Sequence, residues 1–85
     1  MHQTKCELIV RYGTKCMLCG SNVGSMIQWH HIIPRYVFKA RGELPDDGIE
    51  NGSLLCPNCH VKIHKFKYKD MEYKELTEAI IRNKR

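Results

Sequence analysis

The amino-acid sequence predicts a small α+β fold, built from two short strands and several helices. Two segments rich in β-forming residues, 26–33 and 53–56, each lie close to a pair of cysteines in the chain. A helical pattern begins at Pro57, and proline is favourable at the first position of a helix. A chain of 85 residues is long enough for one domain, residues 1–85, with a thin core that needs additional cross-links.

The segments that flank this region are predicted to be helical. A first helix is expected over about residues 4–12, because Thr4 can cap its start and Gly13 can end it. A last helix is expected over about residues 70–83, with Asp70 as its cap. Between the two strands, proline, glycine and paired aspartates predict mostly loop with one helical turn. The positions expected to face the core are Leu8, Ile9, Tyr12, Tyr73, Leu76 and Ile80.

The charge balance points to a polyanionic partner. The chain has 14 Lys and Arg against 9 Asp and Glu, a formal charge of +5, which is typical of a domain that binds nucleic acid. No segment is long and apolar enough to cross a membrane, and the first residues lack the pattern of a secretory signal. We therefore expect a cytoplasmic protein whose five cysteines do not form disulfides.

Four cysteines form two C-x-x-C pairs, Cys16 with Cys19 and Cys56 with Cys59. Two such turns can complete the tetrahedral shell of four thiolates that zinc favours. A redox role for a single pair is the alternative, and the paired spacing favours zinc. Because all four positions of this shell are taken by protein, we interpret the zinc as structural. Cys6 is left over and is expected to be a small buried residue on the first helix.

Four histidines are expected to meet on these short elements. His60 and His64 are four residues apart, so they share one face of a helix, although two such histidines are often simply solvated. His30 and His31 are adjacent on the first predicted strand and therefore point to opposite faces. Three metal ligands and one free base suit metal-assisted hydrolysis of phosphodiesters. His2, near the terminus, is expected to lie in solvent.

These motifs resemble one family. The runs "WHHIIPR" and "ENGSLLCPNCHVKIH" resemble the HNH endonucleases, the ββα-metal nucleases, and the resemblance covers residues 16–64. It includes both cysteine pairs, the doubled histidine, Asn51 and His60. The resemblance implies a zinc-stabilised ββα-metal core, similar to a treble clef, with flanking N- and C-terminal helices.

The resemblance also implies roles for individual residues. His31 would be the general base that activates water, and Asn51 would orient it by hydrogen bonds. His30, His60 and His64 would hold a catalytic divalent ion, which could be Mn²⁺, Co²⁺, Ni²⁺, Mg²⁺ or Zn²⁺. Some members of the family use both histidines of the H-x-x-x-H arrangement, and others use one.

Basic side chains near the proposed site are candidates for contacts with DNA. Trp29 could stack on a base, although a tryptophan at the end of a strand is more often part of the core. A basic run without acidic residues follows the second cysteine pair and is interpreted as phosphate-binding. The candidate nucleic-acid-binding residues are Arg35, Lys62, Lys65, Lys67 and Lys69.

Three functions are compatible with these features. The one that the histidines favour is a DNA endonuclease, which nicks or cuts both strands. The second is a zinc-finger module that binds nucleic acid without cutting it, since the zinc site and the charge fit this equally well. The third is a nuclease that works inside a larger phage or host protein complex, because the resemblance includes compact phage-encoded enzymes that act beside packaging proteins.

Overall fold

The computed structural model of the chain describes residues 3–84, in which four helices surround a two-stranded antiparallel sheet. The predicted small α+β class is confirmed, and the second strand leads directly into the third helix as a ββα-metal fold requires. Two short 3-10 turns occupy Gly24–Met26 and Ile49–Asn51. The other elements are α1 (Gln3–Tyr12), β1 (Gln28–His31), α2 (Arg35–Ala40), β2 (Gly52–Leu55), α3 (Pro57–His64) and α4 (Met71–Lys84).

Strand β1 is shorter than the predicted segment 26–33. Its first expected residue, Met26, belongs to a 3-10 turn. At its other end, the backbone N–H of Ile33 donates to the side chain of Asn51 instead of extending the ladder between the strands. The register between β1 and β2 pairs His30 with Ser53, whose hydroxyl donates to the His30 carbonyl oxygen at 3.1 Å. His31 is paired with Gly52 in the same register, so His30 and His31 both lie on regular strand backbone.

The core lies between the sheet and the outer helices. Leu8 of α1 is fully buried, as are Ile63 of α3 and Ile80 of α4. Tyr73 is also buried, and its hydroxyl donates to the backbone carbonyl of Ile32 at 3.1 Å. The prediction for Cys6 is wrong, because this side chain is exposed. Two residues rotate a helix by about 200°, so Cys6 points away from the side on which Leu8 enters the core.

The two residues predicted to cap helices also make contacts with neighbouring loops. Thr4 lies inside the first turn of α1, and its hydroxyl donates to the backbone carbonyl of Asp47 at 2.7 Å. Asp70 immediately precedes α4, but its carboxylate accepts from the backbone N–H of Lys67 at 2.9 Å. Asp70 occupies the predicted cap position, since the backbone N–H of Lys74 donates to its carbonyl at 3.1 Å. Both side chains also connect a helix to a neighbouring loop.

The last turn of α4 is tied to the middle of the chain. The Lys84 ammonium donates to the backbone carbonyls of Ile49 at 2.8 Å and Gly52 at 2.5 Å. Burial lowers the pKa of Lys84 below its ordinary value of 10.5. The Asn83 amide donates to the Met17 carbonyl at 2.5 Å, beside the first cysteine pair. Helix α4 thus holds the start of β2 and the first cysteine turn in place.

Between Gln3 and Lys84, no helix is long and apolar enough to span a membrane. His2 lies outside the described residues.

Candidate functional site

The four predicted zinc ligands come together at one place. Cys16 and Cys19 lie in the turn that follows α1, and Cys56 and Cys59 bracket the first turn of α3. The four sulfur atoms all lie within 4.8 Å of one another, and the Sγ atoms of Cys19 and Cys56 are 3.8 Å apart. A tetrahedral site with Zn–S bonds near 2.3 Å has sulfur–sulfur edges of about 3.8 Å. The cluster is therefore compatible with the structural zinc that the spacing predicts.

The surroundings of these thiols favour a bound cation. The backbone N–H of Leu18 donates to Cys16 Sγ at 3.4 Å, and a hydrogen bond from the Ser21 side chain lowers the pKa of Cys19 to about 6. Burial, in contrast, raises the pKa of Cys59 above its ordinary value. Four thiolates cannot share one partly buried place without a counter-charge. A bound divalent cation would offset the repulsion between the thiolates, and this is how zinc-binding thiols become deprotonated.

Three histidines form a second cluster on the inner side of β1. His30 is 1% exposed and faces α3, where His60 and His64 occupy successive turns. The ring centroid of His30 lies 5.4 Å from that of His60 and 5.3 Å from that of His64. The centroids of His60 and His64 are 4.7 Å apart, and one nitrogen from each of the three rings lies within 4.8 Å of the others. The shared helix face predicted by the spacing is thus observed.

This second cluster fits a divalent metal ion. Both ring nitrogens of His30 are buried, and neither has a hydrogen-bond partner among residues 3–84. A buried imidazole without hydrogen-bond partners is unfavourable, and a metal ion that accepts its lone pair would relieve this cost. Burial, followed by the nearby His60 and His64, lowers the pKa of His30 to about 3, and burial also lowers the pKa of His60. These shifts favour the neutral form of His30 and His60, which metal ligation requires.

Gln28 orients one of these rings and was not anticipated from the sequence. The Nδ1–H of His60 donates to the Gln28 side-chain oxygen at 2.6 Å. With its hydrogen on Nδ1, His60 keeps its lone pair on Nε2, which is the form that can bind a metal ion. Residues two apart on a strand share a face, so the position of Gln28 relative to His30 carried this signal.

His31 lies on the opposite face of β1, as the alternation of strand side chains predicts. Its ring centroid is 4.5 Å from that of Trp29, which is half-buried and packs against the core. His31 Nε2–H donates to Asp47 Oδ1 at 2.8 Å, and the Arg35 Nε atom lies 3.5 Å from the same oxygen. The His31 side chain is 21% exposed, so it is partly accessible to solvent. Asp47 is a second residue that sequence reasoning missed.

Asn51 is buried and links the two segments that carry His31 and Asp47. Its amide nitrogen donates to the backbone carbonyls of Ile33 at 3.0 Å and Asp46 at 2.9 Å. Its side-chain oxygen accepts from the backbone N–H of Ile33 at 2.8 Å. The amide therefore fixes the end of β1 against the loop before β2.

The predicted DNA-contacting residues lie in several places. Arg35 is 65% exposed and lies beside Asp47, while Lys62 and Lys65 are exposed on and just after α3. Lys67 and Lys69 line a cleft of about 460 Å³ between α2 and the segment that joins α3 to α4. Tyr36, Arg41, Tyr68 and Asp70 also line this cleft.

The part of the chain that contains the four-cysteine and three-histidine clusters is similar to known proteins. The model of the HNH endonuclease family matches residues 16–66. Anaredoxin, a curated protein of Nostoc sp. (strain PCC 7120 / SAG 25.82 / UTEX 2576), is 40% identical over 55 residues. That alignment covers 65% of this chain and 63% of anaredoxin, so the chain spans less than two thirds of this relative's length.

Proposed function

The chain belongs to the HNH endonuclease family, and we propose that it is a metal-dependent endonuclease that hydrolyses phosphodiester bonds in DNA. The observation that carries this proposal is that two adjacent residues, His30 and His31, have different surroundings. His30 enters a cluster with His60 and His64, whereas His31 faces away from it and is partly accessible to solvent. One strand thus supports both a metal site and a separate base, which metal-assisted hydrolysis of a phosphodiester requires.

We assign the catalytic ion to the three-histidine cluster. A divalent ion held by His30, His60 and His64 would act as a Lewis acid on the scissile phosphate and its leaving oxygen. Gln28 supports the assignment, because its hydrogen bond fixes His60 with the lone pair on Nε2. Three imidazole ligands favour Mn²⁺, Co²⁺, Ni²⁺ or Zn²⁺ over Mg²⁺, which prefers oxygen ligands.

His31 is proposed to take a proton from the attacking water. A neutral imidazole is a suitable base near neutral pH, and this ring is partly accessible to solvent. Asn51 would contribute by holding the backbone at the end of β1, since its amide bonds to both backbone groups of Ile33. The base is then presented from a rigid strand and not from a mobile loop.

The basic residues suggest how a DNA strand is held. Lys67, Lys69 and Arg41 bring three positive charges to one cleft, against one acidic residue, Asp70, and the cleft also contains the ring of Tyr36. Cationic side chains bind phosphates without regard to sequence, and aromatic rings can stack on bases. Arg35 lies between this cleft and His31 in sequence and is exposed, so we include it in the proposed contact surface.

We propose that each chain nicks one strand, because residues 3–84 contain one three-histidine cluster. Cutting of both strands would then need two copies or two successive events. As a biological setting we propose the cytoplasm, alongside a larger phage or host protein complex, which is what the resemblance to compact HNH enzymes implies.

A binding module without catalysis is the second candidate. The four-cysteine cluster and the formal charge of +5 support it equally well. It leaves unexplained why His30 is buried beside two other imidazoles with both ring nitrogens unpaired. A module that only binds DNA has no need of this unfavourable arrangement.

Incubation of purified protein with supercoiled plasmid separates the two candidates. We expect nicked plasmid in the presence of a divalent ion and none after chelation. We also expect Mn²⁺, Co²⁺ or Ni²⁺ to support at least as much nicking as Mg²⁺. A protein that binds the plasmid but leaves it intact with every ion would establish the binding module instead. A clear optimum with Mg²⁺ would argue against ligation by three histidines.

A further inference from the structure

We propose that Asp47 is a positioning residue for the reaction, because its carboxylate fixes both the tautomer and the orientation of His31. This inference rests on the proposed nuclease function. It adds a partner for the base that neither the cysteine and histidine motifs nor the loop composition indicates. Asp47 does not contact substrate in this assignment, and it acts only through the imidazole.

The hydrogen bond between the two side chains determines which nitrogen of His31 can act. His31 Nε2 and Asp47 Oδ1 are 2.8 Å apart, and a carboxylate can only accept a hydrogen bond. Nε2 therefore carries the hydrogen, and the lone pair of the neutral ring is on Nδ1. A base can take a proton only through its lone pair, so Nδ1 is the atom that would receive the proton from water.

The backbone around Asp47 is held in place, which distinguishes it from a solvated loop residue. The Thr4 hydroxyl of α1 donates to the Asp47 carbonyl at 2.7 Å. On one side, the Asp46 carbonyl accepts from the buried Asn51 amide at 2.9 Å. On the other, the Gly48 N–H donates to the Asp46 carboxylate at 2.9 Å. The loop is thus anchored to α1 and to the end of β1, so the carboxylate has a defined position relative to His31.

Two further contacts restrict the pair. The guanidinium of Arg35 lies 3.5 Å from the same Asp47 oxygen, which opposes rotation of the carboxylate toward solvent. The Trp29 ring lies against His31, with centroids 4.5 Å apart and planes inclined by 33°. The imidazole is therefore limited on one face by an aromatic ring and at Nε2 by a carboxylate. A base oriented in this way loses little freedom when it meets the attacking water.

The test compares two neutralising substitutions in the same loop, Asp47→Asn and Asp46→Asn. Each removes one negative charge, but only the first changes the partner of His31, since Asn at position 46 can still accept from Gly48. The ¹⁵N NMR spectrum of the zinc-loaded protein reports which ring nitrogen of His31 carries the hydrogen. Nicking kinetics report kcat, KM and the dependence on metal concentration.

We expect the parent and Asp46→Asn to show the Nε2–H form of His31 and to nick at similar rates. Asp47→Asn should mix the two tautomers, because an amide can also donate to Nε2. Its kcat should fall at least about 10-fold, with KM and metal dependence unchanged, since loss of a base-orienting carboxylate acts on the chemical step. Asp47→Glu should recover part of this loss because it restores a carboxylate.

The experiment separates failure of the inference about Asp47 from failure of the proposed nuclease function. A parent that nicks DNA, together with an Asp47→Asn variant of equal rate and unchanged tautomer, overturns the inference and leaves the nuclease assignment intact. An equal loss in Asp46→Asn also overturns it, because the effect would then be one of loop charge. A parent that cuts no DNA with any ion overturns the proposed function, and the catalytic role of Asp47 fails with it.

Discussion

The side chain of Asn51 forms two hydrogen bonds with the backbone of one residue, Ile33. It donates to the Ile33 carbonyl at 3.0 Å and accepts from the Ile33 N–H at 2.8 Å. Strand β1 ends at His31, and this paired contact replaces further ladder pairing two residues later. The angle at which the chain leaves the strand is thus set by a buried side chain.

Substitution of Asn51 by alanine should destabilise the fold and reduce activity together. The change leaves the N–H and carbonyl of Ile33 without these partners in a part-buried environment. Unsatisfied groups of this kind lower the free energy of unfolding by about 1–3 kcal/mol each. Urea unfolding measures this loss, and Asn58→Ala, an exposed position on α3, serves as the control. Equal stability of the two variants would contradict this account of Asn51.

Loss of one zinc ligand should unfold the domain. Cys19→Ser and Cys59→Ser each remove a thiolate from the four-cysteine cluster, and structural zinc contributes on the order of 10 kcal/mol or more to small domains. Circular dichroism and native mass spectrometry measure the fold and the zinc content. Cys6→Ser is the matched control, because Cys6 is exposed and outside the cluster. Folded protein without tightly held zinc would refute the assignment.

His31→Ala and His30→Ala should reduce nicking in different ways. Removal of a general base typically lowers the rate about 10²- to 10⁴-fold, and it should leave zinc content and DNA affinity unchanged. His30→Ala should instead weaken binding of the catalytic ion, so excess metal should restore part of its activity. The measurement is plasmid nicking over a range of metal concentrations. If His31→Ala nicks as fast as the parent, His31 is not the base.

The stability of the protein should fall below pH 6.5 because of His30. Its pKa is lowered from 6.5 to about 3 in the folded state, chiefly by burial. Between these values the unfolded chain binds a proton that the folded chain does not. Stability from this group is therefore complete above pH 6.5 and is lost as the pH falls toward 3. The slope is at most about 1.4 kcal/mol per pH unit.

This slope is accessible to urea unfolding between about pH 5 and 7 at stoichiometric zinc. The comparison is the parent against His30→Ala, which lacks the buried imidazole but retains the four-cysteine cluster. Because zinc release at low pH affects both proteins, the difference between their slopes isolates His30. Parallel slopes would show that His30 is not held neutral in the fold.

Lysines of the cleft should contribute to affinity for DNA and not to sequence preference. Lys67→Ala and Lys69→Ala each remove one positive charge from its lining. Each should reduce the slope of log affinity against log salt by about one, for any DNA sequence. Lys15→Ala, an exposed residue in the first cysteine turn, is the control. An equal change in the control would point to net charge and not to the cleft.

The parts of the site that the sequence predicted are those governed by local geometry. A C-x-x-C turn brings its own two sulfurs together, and His60 and His64 share a helix face because they are one turn apart. The alternation of strand side chains likewise predicts that His30 and His31 lie on opposite faces. These relations span four residues or fewer, so tertiary packing does not alter them.

The parts that were missed depend on contacts between distant segments. Asp47 reaches His31 across 16 residues of chain, and its loop has no periodic pattern that indicates which way a side chain points. The fold of that loop depends on Thr4 of α1, which is 43 residues away in sequence, and on Asn51, whose amide also holds the distant residue Ile33. Cys6 is a different case, since its position relative to Leu8 on the helix already indicated exposure.

The turn between Cys56 and His60 serves both clusters at once. Cys56 and Cys59 belong to the four-cysteine site, and the N–H of His60 donates to the Cys56 carbonyl at 2.9 Å. An ion bound at one cluster would order this turn, so that an ion binding at the other cluster would pay less of the entropic cost of ordering it. Thermodynamic linkage makes such an effect reciprocal, so if both proposed ions bind, each would raise the affinity of the protein for the other by the same factor. Cutting activity would then follow the supply of zinc in the cell, although zinc itself takes no part in the chemistry at the four-cysteine site.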